Sequence, residues 1–186
     1  MLNEKGLLAA MKTAYRGNGY TVAISDGKIM LKGSAWGVYY DLKELPRKCL
    51  GLVAEHIGGL QDNTCCKLQK DAGAQNKLLD EELAFWEEKQ QILAEPAQLR
   101  PIEPTMLDLG GFWLWQDRDT LQVWKVDRDY SRIIEREDLR AARFAPEVWP
   151  ALLFGLPDMF AVVLTFDRVA EDAMMRHLDG FPWIGE

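Results

Sequence analysis

Four aspartates and two arginines crowd one segment, FWLWQDRDTLQVWKVDRD, residues 112 to 129. Asp117 and Asp119 bracket Arg118, and Asp127 and Asp129 bracket Arg128. Clustered carboxylates are the ligands that Mg²⁺, Mn²⁺ or Ca²⁺ prefer. A strand rises ~3.3 Å per residue, so pairs separated by TLQVWKV stand roughly 25 Å apart along it and do not share an ion. No calcium-loop pattern, with its glycine and closing Glu, surrounds either pair. In each copy the central Arg neutralises its neighbours. The reading is therefore two solvated turn ends of a hairpin. A divalent-metal hydrolase or transferase working through these aspartates is the competing class.

The same region carries Arg128, Arg132, Arg136 and Arg140, spaced by four. On a helix this spacing makes a slowly drifting stripe, suited to phosphate or to an acidic protein. Asp129, Glu135, Glu137 and Asp138 are interleaved and can pair with it at helical spacing, which makes a salt-bridged solvated face. The thiols and imidazoles promise less. Cys49, Cys65, Cys66, His56 and His177 match no zinc spacing. Cys49 and His56 sit two helical turns apart, ~10 Å along the axis, too far for a nucleophile–base pair. No phosphate-cradling glycine motif, nucleophile elbow or HExxH occurs, and Glu81-Glu82 and Glu87-Glu88 read as solvated helix carboxylates. No cofactor is expected, and catalysis is disfavoured.

Aromatic residues offer the strongest functional signal. Seven tryptophans occur, and Trp113, Trp115, Trp124, Trp149 and Trp183 all follow residue 100. In FWLW the large side chains face both sides of a strand, so both sides need cover: the protein's own core, or a partner. Tryptophan is good core material and also a favoured anchor at interfaces.

Those side chains have to be positioned by a folded scaffold, and 186 residues with 48% hydrophobic and 27% charged content suffice for one. A net charge of −7 argues against non-specific nucleic-acid binding. No run of ~20 apolar residues exists to cross a membrane. The first residues lack a leader's apolar centre. Three unframed cysteines suit a reducing compartment, so a cytoplasmic location is expected.

A helix is expected from Asn3, its cap, to Gly17 or Gly19. A hairpin follows, turning at Asp26-Gly27, then a strand with Trp36, Val38 and Tyr40 on one face. A second helix starts near Glu44 or Leu45, with Pro46 in its first turn, buries Leu50, Val53 and Ile57 and stops at Gly58-Gly59. TCCKLQK is a short strand, and a third helix buries Leu79, Leu83 and Trp86. Pro96, Pro101 and Pro104 mark an extended connector. Composition changes there: residues 1–99 hold ten Lys and two Arg against thirteen acids, the remainder one Lys and nine Arg against sixteen. Beyond it GFWLW and TLQVWKV read as strands and much of 129–144 as a helix. A short helix starts at Pro146, MFAVVLTF is a buried strand, and a final helix runs from Asp167 to Gly180.

The expected fold is α+β with a mainly antiparallel sheet: an N-terminal unit (1–94), a connector (95–106) and an aromatic-rich unit (107–186). The expected function is a non-enzymatic protein-binding or regulatory module, through a partner or self-association. Trp113, Trp115 and Trp124 would be its anchors and Arg128, Arg132 and Arg136 its polar rim.

Overall fold

The computed structural model describes residues 1–95, 97, 99–145 and 150–168. It is a mixed α/β chain in which a large antiparallel sheet dominates. Helix α1 (Glu4–Arg16) opens the chain and is capped by the Asn3 side chain, which accepts from Gly6 N at 2.8 Å. Strands β1 (Tyr20–Ser25) and β2 (Lys28–Lys32) form the expected hairpin. Its turn residues Asp26 and Gly27 have φ of 51° and 70°, the left-handed pair that a two-residue hairpin requires. Then come β3 (Trp36–Asp41), α2 (Arg47–Ile57) immediately after Pro46, β4 (Thr64–Gln69), β5 (Gly73–Asn76) and α3 (Leu79–Ala94).

From Arg100 the expected connector contributes β6 (Arg100–Leu109). It is followed by β7 (Phe112–Asp117), β8 (Val123–Asp127), a single turn α4 (Arg128–Ser131), a 3-10 turn (Arg136–Ala141), β9 (Arg143–Ala145), β10 (Ala151–Leu156) and β11 (Met159–Arg168). Strands β5, β4, β1, β2 and β3 line up in that order. The last six close on themselves: β6 pairs β7, β7 pairs β8, β8 pairs β11, β11 pairs β10, β10 pairs β9, and β9 returns to β6. Strand β11 also pairs with β3, so one strand belongs to both the row and the ring.

Alternation along the strands explains the layers. Val22, Ile24, Ile29, Leu31, Trp36 and Val38 point to the face covered by α1 and α2, whose Leu7, Met11, Cys49 and Val53 meet them. Ala23, Met30, Phe160 and Val162 point the other way, under Trp86, Ile92 and Leu93 of α3. Ile102, Trp115, Val126, Phe144, Phe154 and Val163, from the six ring strands, join the first cluster.

Three expectations are corrected. Residues 129–144 form no continuous helix. Asn3 N donates to Ile133 O at 2.8 Å, Glu135 N donates to Met1 O at 2.8 Å, and Leu2 bridges Ile134. The chain start thus takes backbone groups that a helix would have kept for itself, and Ile133 and Ile134 are both buried. Ala151–Phe154, expected in a helix from Pro146, is strand β10, buried on both faces; 146–149 lie outside the described residues. Asp167, expected as a helix cap, falls inside β11; the rest of that helix, with His177 and Gly180, lies outside the described residues, as does Trp183 beyond it.

A candidate binding groove at the seat of the first helix

The groove is built by a close approach. Gly6 stands in the first turn of α1, where alanine would form helix better. A Cβ there would lie 1.8 Å from the Arg132 carbonyl oxygen, so only glycine lets the helix rest on the backbone of 132–133. Asn3 Nδ2 also donates to Glu135 Oε2 at 2.9 Å, tying the helix cap to the same segment. Beside this seat opens a cavity of about 620 Å³, lined among others by Lys5, Trp113, Arg132, Glu135 and Arg136. That volume lies within the range of ordinary ligand sites.

Three of the six residues expected to bind meet at the groove: Trp113, Arg132 and Arg136. Arg132 Nη1 donates to Asp129 Oδ1 at 3.1 Å and remains largely exposed. Among the described residues neither Arg136 nor Lys5 takes part in an ion pair. The groove therefore carries three cations against the Glu135 carboxylate, on a chain whose net charge is −7.

The other three go elsewhere. Trp115 is 0% exposed, edge-on to Phe154 at 6.1 Å, with an indole N–H that has no partner. Trp124, opposite it in the ladder, packs on Phe144 at 5.0 Å. Arg128 Nη1 bonds Asp108 Oδ2 at 3.1 Å. Within FWLW, Trp113 and Trp115 thus face inward, while Leu114 is covered on the outer face by Leu107, Leu109 and Val123. That cover comes from a bulge in β6 between Pro104 and Asp108, fixed where Thr105 Oγ1 donates to Leu114 O at 2.9 Å.

The paired aspartates are turn caps. Asp117 Oδ1 accepts from Asp119 N at 2.8 Å and Thr120 N at 3.2 Å, and Asp127 Oδ1 accepts from Asp129 N at 2.8 Å. Asp119 and Asp129 are exposed. Asp117 is not solvated as expected: it is 1% exposed, with Arg100 Nη1 at 3.6 Å from its second oxygen. Among the described residues no three His, Cys, Asp or Glu side chains converge as a metal site would need.

No protein-family model, curated protein or solved structure matches this chain.

Lys5, Asn3 and Gly6 were not among the expected site residues, because 126 or more positions separate them from Arg132 and Glu135 in the sequence. A glycine early in a strongly patterned helix was the available signal. The thiols are inert: all three are buried, and burial pushes Cys49 up to about 12 and Cys65 up to about 11.

His56 offers a pH test. Its ring stacks on Tyr15 at 3.8 Å between centroids, and its Nδ1 is 3.1 Å from the Tyr20 hydroxyl. Burial lowers its pKa below the ordinary 6.5, opposed by nearby Glu55. The unfolded chain then binds more protons, so stability should fall as pH drops through ~6.5 and level off below the lowered native value. Urea midpoints at about pH 7.5 and about pH 5.5 would show the fall, and His56→Gln should remove that share of it. An unchanged fall in the variant would place the titration elsewhere.

Proposed function

We propose that this chain is a binding module whose groove takes an acidic, partly apolar segment of a partner protein. The observation that carries the reading is the convergence of Lys5, Trp113, Arg132 and Arg136 on one cavity of about 620 Å³. The cations supply attraction and register, and the half-buried Trp113 supplies an apolar wall. A strongly acidic chain that gathers cations at one groove favours an anionic partner there. The aspartate-based metal reading has no comparable support, since Asp117 and Asp127 are spent on backbone N–H groups.

Fluorescence anisotropy with labelled peptides alternating Asp or Glu with Leu and Phe, against charge-reversed versions, tests this directly. The acidic peptides should bind and weaken with salt. Trp113→Ala and Arg136→Ala should each weaken binding by about tenfold while the domain stays folded. Equal binding of both peptide sets, or no response to either substitution, would overturn it. Sedimentation of the free protein separates the self-associating form, in which an acidic face of a second copy occupies the groove.

A further inference from the structure

Helices α1 and α3 cover opposite faces of the sheet, and each turns a stripe of one charge sign to solvent. On α1, Lys5, Ala9, Lys12 and Arg16 are all exposed. Steps of four, three and four keep them on one face of the helix. Glu4, the only acid of α1, is held by Lys48 at 2.9 Å. On α3, Asp80, Ala84, Glu87 and Gln91 repeat the same steps and are all exposed, with Glu81 and Glu88 alongside. Glu82 was expected to be solvated like its neighbours, yet it is buried. Its Oε2 accepts from Lys32 Nζ at 2.7 Å and its Oε1 from Trp86 Nε1 at 3.2 Å. Lys89, the only base of α3, is also buried and donates to Glu88 Oε1 at 2.7 Å. The charge on the outer face of α3 is therefore entirely acidic.

Neither stripe is neutralised within the chain. Among the described residues none of Lys5, Lys12, Arg16, Asp80, Glu81 and Glu87 takes part in an ion pair. In a parallel alignment the two stripes match position by position: Asp80 meets Lys5, Ala84 meets Ala9, and Glu87 meets Lys12. Small side chains at the middle position let two helix axes come close. Leu78, 67% exposed just before α3, then falls beside Asn3 at the groove, where half-buried Trp113 offers an apolar wall. Within one chain the two helices stand on opposite sides of the sheet, so the match is made between copies.

We infer that the occupant of the groove is a second copy of this chain, whose α3 lies along α1 with its acids against the cations. The inference rests on the groove reading and names the partner. Two different faces meet, so the contact is head-to-tail, and each copy in a pair keeps one face free for another. The net charge of −7 opposes association at long range, while the matched stripes favour it at contact. Both helices are already folded, so no flexible segment has to be ordered on binding.

Sedimentation velocity of the full chain in about 50 mM salt should show a coefficient that rises between about 5 and about 500 µM protein, and rises less in about 0.3 M salt. Lys12→Glu with Arg16→Glu, both outside the groove lining, should weaken association by at least about tenfold. Asp80→Lys with Glu87→Lys should do the same. That second pair makes the chain less negative and lowers general repulsion, so a loss there reports the specific contact. All four together leave the net charge at −7 and should restore association to within about threefold of the original. If one pair unfolds the chain, the other pair and the salt response decide. A chain that stays monomeric to about 500 µM, or association indifferent to both pairs, overturns the inference. Acidic peptides that bind such a monomeric chain would leave the groove reading standing, and their failure as well would remove both.

Discussion

Replacing Gly6 with alanine is expected to lower stability by about 2 kcal/mol or more, although the substitution improves helix propensity by about 1 kcal/mol. The added carbon would stand 1.8 Å from a backbone oxygen, and no rotamer relieves that clash. The helix has to lift, which breaks the Asn3–Ile133 hydrogen bond and the Asn3–Glu135 contact with it. Gly51, in α2, supplies the control. Nothing lies within 4 Å of a Cβ there, so Gly51→Ala should stabilise by about 0.4–1 kcal/mol. Urea midpoints at unchanged slope measure both. Two substitutions of the same kind, both within helices, should therefore act with opposite signs. If Gly6→Ala also stabilises, α1 is not seated on Arg132 and the groove is not formed as described.

Trp115→Ala should cost about 3–5 kcal/mol, a large share of the roughly 5–15 kcal/mol that holds a typical domain together. The side chain is fully buried inside the strand ring, against Phe154 and beside Trp124. Trp115→Phe should cost under about 1.5 kcal/mol, because it keeps most of the volume and discards an indole N–H that has no partner. Trp113→Ala, two positions away at the groove, should lose much less stability than Trp115→Ala. Thermal melts of the three variants rank these effects. Equal losses at 113 and 115 would mean that both are core and that the groove has no aromatic wall to offer a partner.

The parts of the fold that announced themselves carried their own local instructions. Asp26-Gly27 marked a hairpin because few other pairs adopt its turn, and Asn3 with Gly17 marked α1 because caps are chemically specific. Competition from distant chain hid the rest. Arg132 to Arg140 has helical spacing, yet residues 1–3 bind its backbone first. The run ALLF reads equally as a buried helix or a buried strand, and its neighbours β9 and β11 decide. Strand β5 has four exposed residues and no apolar pattern to detect. Glu82 lies on the buried stripe of α3, where charge argues for solvent until its partner Lys32 on β2 is known. At the groove, Trp113, Arg132 and Arg136 were visible as separate features, but only folding brings Lys5 beside them.

Strand β11 sets an order of events during synthesis. It joins β3, completed at residue 41, to a ring that cannot close before residue 168 is available. Until then the edge of β3, with Trp36 and Val38, is an unpaired template of the kind that invites association with other chains. Trp36 waits for Val163, its partner in that ladder, through most of translation. Shortening the chain ahead of β11 would thus leave both the row and the ring with open edges at once. The yield of soluble protein should depend more steeply on β11 than on any strand at the margin of the row.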